Sequence, residues 1–219
     1  MRRISIAGAS LLLLAVMLSP LSATPIAPGL TVVPSLLTDP AGTLLDSLDS
    51  FQTAGTGTKK VNVELREAVY DRGAGLLDFY AQVVVLTPST SIKRVTFADF
   101  SILGPDQVFF RTDNPGGPFS VGSKIPVTSD QDASGVTIGF GFPSTGGFDI
   151  TAGKTSDIMV IRTMASKYDA LGTFSVIDGR TITIDGFEPS PVPEPTSIML
   201  FGTALLGVMG IVRKRLKVS

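Results

Sequence analysis

Apolar and polar side chains alternate over much of the middle of this 219-residue chain. Val61, Val63 and Leu65 fall on one side of an extended backbone, with Glu67 in line with them, while the residues between them are polar. A strand with one buried face shows this period of two. Comparable runs recur, and the predicted strands are residues 61–67, 77–86, 93–100, 107–112, 136–142, 157–164, 173–177 and 181–187.

Turn-forming residues separate these runs. Asp, Asn, Ser, Pro and Gly cluster between the predicted strands, and these residue types favour tight turns. No apolar pattern of helical length lies between the strands, which predicts a mainly β domain, an antiparallel β-sandwich of the jelly-roll or Ig-like kind. Residues 83–86 and 159–161 are apolar on both faces, so we expect their strands to lie centrally in a sheet.

Residues 24–58 precede the alternating strands. They begin as a leader rich in Pro and Thr, whose apolar side chains can pack on the domain, and continue into a segment with helical spacing of its apolar positions. The predicted organisation is therefore a leader with a short helix over residues 24–58 and a β-sandwich domain over residues 59–189. The apolar face of the predicted helix consists of Leu44, Leu45, Leu48 and Phe51.

The N-terminus has the order of a secretory signal peptide. Arg2 and Arg3 precede an apolar stretch over residues 4–18, and a segment of mainly small residues ends at Ala23. A basic start, an apolar middle and a small residue at the cleavage position direct a chain to export. We therefore predict that signal peptidase removes residues 1–23 and that the mature chain starts at Thr24.

A Pro-rich motif, an apolar run and a basic end follow one another in residues 190–219. The apolar run covers residues 196–212, and a helix of this length spans roughly 26 Å, the lower end of what a bilayer requires. Basic residues directly after it favour a cytoplasmic C-terminus. We predict a transmembrane helix, either a permanent anchor or part of a processed signal. The motif is Val192, Pro193, Glu194 and Pro195, and the basic stop is Arg213, Lys214, Arg215 and Lys217.

This C-terminus resembles the PEP-CTERM sorting signal of exported bacterial proteins. The resemblance implies cleavage by a membrane-embedded exosortase and delivery to the cell surface, the outer envelope or the extracellular space. It also implies an association with exopolysaccharide, because the sorting system accompanies exopolysaccharide production in that family. Several middle segments look like the ectodomain of other PEP-CTERM proteins and add no active-site residues: 77–82, 97–100, 139–143, 153–163 and 176–179.

Composition narrows the possible chemistry. The chain has no Cys and no His, which excludes disulfides and thiol catalysis and removes the usual zinc ligands and the usual general base. Between Thr24 and Val192 it carries 12 basic and 18 acidic residues, a net charge of −6. An acidic surface repels phosphate backbones, so we expect no nucleic-acid partner. Phosphate-loop and redox-cofactor motifs are missing from the sequence, and no cofactor is expected.

Carboxylates are the remaining candidates for catalysis. Asp78 and Asp99 lie in predicted strands beside aromatic residues, and two carboxylates at a suitable separation suffice for glycoside hydrolysis. Surface positions, with partial pairing to Arg94 or Arg111, are the alternative and simpler interpretation.

Two further sets of residues are candidates for binding. Asp130 and Asp132 could supply oxygens to calcium, although their spacing matches no known calcium loop. Aromatic side chains could stack on sugars, and in the pair Phe109-Phe110 the two rings point to opposite sides of a strand. An edge position or packing by the leader is the alternative interpretation of that pair. The other aromatic candidates are Tyr70, Tyr80 and Tyr168.

These observations predict a non-enzymatic exported protein, without catalytic residues, that acts at the cell surface or in the matrix. The alternatives are a glycan- or calcium-binding module and a carboxylate glycosidase. Exposed aromatic residues in a cluster, or acids converging on one rim of the sandwich, would favour these alternatives.

Overall fold

Two β-sheets packed face to face form the described part of the chain. The computed structural model describes residues 24–100, 106–178 and 180–190. Within these ranges it has thirteen strands and one short 3-10 helix, Gly57–Lys59, which confirms the predicted mainly β sandwich. The predicted signal peptide and the predicted transmembrane helix lie outside the described residues.

The first sheet has the order β1-β8-β11-β6-β5-β4, and β3 joins it as a parallel partner of β8. The second sheet has the order β13-β12-β7-β10-β9-β2. The strands are β1 (Thr24–Pro25), β2 (Thr31–Val32), β3 (Ser35–Leu36), β4 (Thr43–Ala54), β5 (Val61–Asp71), β6 (Leu77–Val85), β7 (Arg94–Phe97), β8 (Gln107–Arg111), β9 (Thr128–Gln131), β10 (Ile138–Gly141), β11 (Ile158–Arg162), β12 (Tyr168–Ile177) and β13 (Thr181–Pro189).

The main core lies between the two sheets. Alternate residues of each strand point into it, among them Val63 and Leu65 of β5, which are fully buried as their period predicts. Aromatic rings fill its centre: Phe97 stacks on Phe174 at 4.9 Å between ring centroids and meets Phe140 edge to face at 5.9 Å. Such pairs add to the gain from burial, and burial of apolar surface is the main force that holds the sheets together.

All eight predicted strands are present, with ends shifted by a few residues. The strands with apolar residues on both faces, β6 and β11, are central in the first sheet, as predicted. The sequence did not predict β9, because this strand buries Ser129 and Gln131 instead of apolar side chains. Their polar groups are satisfied by the carbonyl oxygens of Gly139, at 2.9 Å, and Gly135, at 2.7 Å.

The predicted short helix is wrong, because its residues belong to β4. This strand pairs with β5 from Thr43 to Ala54, so the backbone hydrogen bonds come from a neighbouring strand. The pairing shifts register just after Leu44, which accommodates two adjacent leucines. Phe51, expected on a buried helical face, is 67% exposed. A helix of this length is marginal without tertiary contacts, and here the tertiary contacts favour the strand.

The leader is an integral part of the sandwich. β1 and β3 pair with β8 in the first sheet, and β2 pairs with β9 in the second. Ile26 and Leu37, both from the leader, are buried in separate apolar clusters. The described sandwich therefore begins at Thr24, and residues 24–58 do not form a segment apart from the predicted domain of residues 59–189.

The two ends of the sandwich are defined by the hairpin of β12 and β13. Ile177 pairs with Thr181 at one end, and Tyr168 pairs with Pro189 at the other. The nine residues of β13 separate these ends by about 30 Å. We call the end with Pro189, where the described chain continues to Ser190, the exit end, and the end with the Ile177–Thr181 pair the far end.

Candidate functional site

The outer face of the first sheet carries a second buried cluster, which we call the outer cluster. Its apolar members come from β5, β6, β8 and β11 and from two covering segments, residues 37–41 and 113–120. Because successive residues of a strand point to opposite faces, β6 directs Asp78, Tyr80 and Gln82 into this cluster. Asp78 lies here together with three aromatic candidates, Tyr70, Tyr80 and Phe109, so it is the first place to look for chemistry.

Asp78 lies beneath two arginines. Its carboxylate accepts hydrogen bonds from Arg162 at 3.0 Å and 3.2 Å, and Arg72 Nε lies 3.2 Å away. Burial raises the pKa of Asp78, although both guanidinium groups oppose this effect. Arg162 also contacts Asp39 at 3.4 Å and lies over the ring of Phe109 at 5.1 Å. Asp78 is 1% exposed beneath these arginines, so its carboxylate is not open to a substrate.

Arg111 forms the second ion pair of the outer cluster. Its side chain is 3% exposed and donates two hydrogen bonds to Asp113, at 2.9 Å and 2.7 Å. It also donates to the carbonyl of Asp39 at 2.6 Å and to the hydroxyl of Tyr80 at 3.3 Å. Burial raises the pKa of Tyr80 to about 12, even though Arg111 lowers it. Tyr80 is therefore a neutral hydrogen-bonding group at any physiological pH.

Gln82 fixes the covering segment to the sheet. Its amide nitrogen donates to the carbonyls of Ser120, at 2.6 Å, and Ser156, at 3.0 Å. Its amide oxygen accepts from the backbone of Ser120 at 3.0 Å, and Arg66 joins the same network through the Ser120 hydroxyl at 3.1 Å. These bonds satisfy the donors and the acceptor of a fully buried amide, so the role of Gln82 is structural.

The predicted acidic pair is not assembled. Asp78 belongs to β6 of the first sheet, whereas Asp99 follows β7 of the second sheet and has a left-handed backbone, with φ of 71°. The expected arginine partners are also different: Arg94 binds Asp130, Arg111 binds Asp113, and Asp78 takes Arg162 and Arg72. The two carboxylates thus lie in different environments in different sheets.

Asp130 and Asp132, the calcium candidates, are both engaged by protein groups. Arg94 donates to both oxygens of Asp130, at 2.6 Å and 2.7 Å, which is a bidentate pair across the second sheet. Asp132 accepts from the backbone of Thr137 at 2.9 Å and from the hydroxyl of Ser134, and these bonds lower its pKa. In residues 24–100, 106–178 and 180–190, no group of three or more acidic side chains is placed to hold a metal ion.

The aromatic candidates are largely buried. Phe109 lies in the outer cluster with Leu37 of the leader, which agrees with packing by the leader. Tyr70 and Tyr80 lie 4.5 Å apart between ring centroids in the same cluster, and Tyr168 meets Phe187 edge to face at 5.7 Å. None of the three tyrosines is part of an exposed cluster of aromatic residues.

Glu67 is a buried acid of the main core that sequence reasoning assigned only to the apolar side of its strand. Its side chain accepts a hydrogen bond from the backbone of Phe187 in the opposite sheet at 3.0 Å. Burial raises its pKa to about 8, and the Phe187 bond opposes that rise only in part. Burial also raises the pKa of Asp106 to about 7 and that of Asp157 to about 6. In the sequence, a buried acid such as Glu67 can be recognised because it occupies an apolar position of an alternating strand, two residues after Leu65.

A cavity opens at the far end of the sandwich. It has a volume of 410 Å³ and is lined by Lys59, Thr90, Asp178 and Arg180. Asp178 pairs with Lys93 at 3.3 Å, which leaves the cations of Lys59 and Arg180 without a carboxylate among the described residues. Sequence reasoning did not find this site, because its residues come from three separated segments.

Acidic side chains gather at the exit end. Burial raises the pKa of Glu188 to about 7, and Asp169 and Asp99 raise it further. Asp169 faces Glu188 across the β12–β13 hairpin. The two ends of the sandwich therefore differ in charge.

The described residues contain no helix that is long and apolar enough to cross a bilayer. Beyond them, residues 191–215 match the model of the PEP-CTERM protein-sorting motif. The chain carries a PEP-CTERM sorting motif. The match confirms the resemblance predicted from the sequence and includes the motif residues 192–195 and the basic residues 213–215, all of which lie outside the described residues. The chain matches no curated protein and no solved structure.

The PEP-CTERM motif indicates an exported, membrane-anchored protein that is sorted and processed by exosortase. It begins directly after Ser190, the last described residue, which is the single residue between the end of β13 and the motif. The sandwich is therefore the part of the chain that the PEP-CTERM motif delivers.

Proposed function

We propose that this protein is a non-enzymatic component of the cell surface or extracellular matrix, cut near its PEP-CTERM motif and associated there with exopolysaccharide. The observation that carries the proposal is the motif at residues 191–215, which follows a folded sandwich without an intervening domain. The exporting signal peptide of residues 1–23 and the membrane span of residues 196–212 belong to the same proposal. The sandwich would be the mature product.

The state of the carboxylates supports a role other than catalysis. Asp78, Asp113 and Asp130 are each held by arginine, and Glu67 lies inside the core. A glycosidase needs two carboxyl groups on either side of one bond, about 5 to 9 Å apart and open to substrate. If Asp78 and Asp99 are replaced by Asn, any glycan hydrolysis by the protein should be unchanged. A loss of hydrolysis in variants whose circular dichroism shows that the fold is kept would instead establish an enzyme.

The intact mass of the surface form tests the sorting part of the proposal. We would express the full chain in a host that has an exosortase and compare it with a Pro193→Ala, Pro195→Ala variant. A product that begins at Thr24 and ends near the PEP-CTERM motif, and that is lost in the variant, is the expected result. An intact tail in both proteins would make the C-terminus a permanent membrane anchor and would contradict the proposal.

A glycan-binding module is the second candidate, and the far-end cavity is the observation that favours it. Its volume of 410 Å³ lies in the range of small-molecule sites, and charged and polar side chains line it. Calcium binding has less support, because both calcium candidates already have protein partners.

A further inference from the structure

We infer that the far-end cavity binds the carboxylate groups of an acidic polysaccharide and that Lys59 and Arg180 make the decisive contacts. This inference rests on the proposed function, because it names the class of glycan that the surface protein would bind. The proposed site is the far-end cavity alone, and it includes neither the exit end nor the faces of the two sheets.

Basic side chains are concentrated at the far end. Lys60 lies beside the loop that contains Thr90, because its carbonyl accepts a hydrogen bond from the Thr90 backbone nitrogen at 2.8 Å. Lys154 lies at the same end, where its carbonyl accepts from the Val85 backbone nitrogen at 2.9 Å. Of the twelve basic residues between Thr24 and Val192, five therefore lie here, although the net charge of this part of the chain is −6. The five are Lys59, Lys60, Lys93, Lys154 and Arg180.

Few acids offset this charge. Asp178 forms an ion pair with Lys93 at 3.3 Å. Asp149 also lies at this end, because the residue after it, Ile150, pairs with Ile92, and Ile92 precedes Lys93. Lys59 and Arg180 are exposed at the cavity, and no carboxylate pairs with either among the residues that the structure describes. A concave site with unpaired cations attracts anions, because its walls concentrate the field of the charges.

The shape and setting of the cavity favour a glycan carboxylate over a nucleic acid. A duplex presents phosphates over many ångströms, and the net charge of −6 between Thr24 and Val192 would repel those beyond the cavity. A sugar acid presents one carboxylate per ring together with hydroxyls, which suits a small cavity with two cations and the hydroxyl of Thr90. Arg180 can bind a carboxylate through two parallel hydrogen bonds.

The position of the cavity also suits a ligand in the matrix. The tail leaves the sandwich at the exit end, and β13 places the cavity about 30 Å from that point. The cavity thus lies at the end of the sandwich opposite to the point at which the described chain ends.

Binding of the full-length chain to polygalacturonate tests the inference. We would purify the full-length chain in detergent and measure its affinity for polygalacturonate, for uncharged dextran and for duplex DNA. The test variants are Lys59→Glu and Arg180→Glu, and the matched control is Lys167→Glu, which reverses an exposed charge at the exit end. We expect a loss of about tenfold or more in each test variant, less than twofold in the control, and a decrease with added salt.

Equal affinity of all variants, no binding to polygalacturonate, or tighter binding to DNA would overturn the inference. Thermal unfolding of each variant would show whether the fold is kept, and exposed charge reversals should leave it unchanged. Surface delivery would be measured separately by protease treatment of intact cells. A protein that is delivered but does not bind contradicts only this inference, whereas a protein that is not delivered contradicts the proposed function.

Discussion

The two faces of the first sheet bury their side chains by different means. The inner face packs apolar residues against the second sheet, with Glu67 as an ionisable exception. Among the described residues, the outer face meets loops and the leader. It holds them through arginine–carboxylate pairs around two tyrosines and through the Gln82 amide. Adjacent residues of β6 show the difference, since Phe79 joins the main core and Asp78 joins the ion pairs. Stability therefore depends on filled volume on one face and on complete pairing on the other.

Removal of the Phe79 ring should give the largest loss of stability. The ring is buried and meets Phe100 edge to face at 5.2 Å, so Phe79→Ala leaves a cavity in the main core. We expect a loss of about 3–5 kcal/mol in the free energy of unfolding. Urea unfolding followed by far-ultraviolet circular dichroism would measure it. Phe51→Ala is the matched control, because that ring is exposed, and a similar loss there would contradict this account of the core.

Asp78→Ala should cost about 3 kcal/mol, because it leaves Arg72 and Arg162 without their shared carboxylate. The same urea experiment would measure this loss. The triple variant Asp78→Leu, Arg72→Met, Arg162→Met sharpens the comparison, since an apolar replacement of the whole group removes the unpaired charges. We expect it to recover most of the loss. If the triple variant is as unstable as Asp78→Ala, then volume and not pairing governs the outer face.

Glu67 makes the stability of the inner face depend on pH. Its pKa is about 8 in the folded protein and about 4.5 when exposed, so the folded state binds more protons between these values. The contribution of Glu67 to the free energy of unfolding should therefore be highest below about pH 4.5, fall as the pH rises and level off above about pH 8.

Glu67→Gln should remove this contribution and stabilise the protein at pH 8 by an amount on the order of 3 kcal/mol. The gain should vanish well below about pH 4.5, where Glu67 is protonated in both states. Unfolding curves at several pH values would show it. The acids with raised pKa values outside the core, such as Glu188, remain in both proteins, so the difference between the two isolates Glu67. A constant difference at all pH values would contradict the assigned protonation.

Tyr80→Phe should have the smallest effect, a loss of about 1 kcal/mol, because it removes one neutral hydroxyl that Arg111 contacts at 3.3 Å. The ring and its packing in the outer cluster remain. Tyr168→Phe is the control, since its hydroxyl lies at the surface, 3.5 Å from Asp46. A smaller loss for Tyr80 than for Tyr168 would show that the hydroxyl of Tyr80 does not contribute to the pairing.

Much of the fold could be predicted from the sequence because period-two burial is a local signal. Val61 to Leu65 alternates in the sequence and in the structure, and the apolar run of β6 correctly indicated a central strand. The prediction for Leu44 to Phe51 failed because its spacing suited a helix, whereas the strand is decided by hydrogen bonds to the next strand, β5, which the local spacing does not record. The sequence did not predict β9, because this strand buries hydrogen-bonded polar side chains and therefore shows no alternation of apolar and polar residues.

The polar partners could not be predicted, because they depend on the register between distant strands. Asp78 and Arg162 are direct neighbours on β6 and β11 although 84 residues separate them in sequence. A shift of one residue would place Arg162 on the opposite face. The far-end cavity likewise depends on long-range structure, since the packing of the two sheets brings Lys59 and Arg180 together. The sorting motif was predictable because its parts are contiguous.

The direction of β13 determines how the sandwich bears mechanical load. Tension on the tail enters the sandwich at Pro189, and a ligand held at Arg180 resists it from the other end of the same strand. The pull therefore runs along the strand, whereas its hydrogen bonds to β12 run across it. Both attachment points lie at the ends of β13, so the covalent backbone of this strand carries the load between them and its hydrogen bonds to β12 are not pulled open. A ligand bound at Arg180 as proposed would therefore load one strand and leave the pairing of the sheet undisturbed.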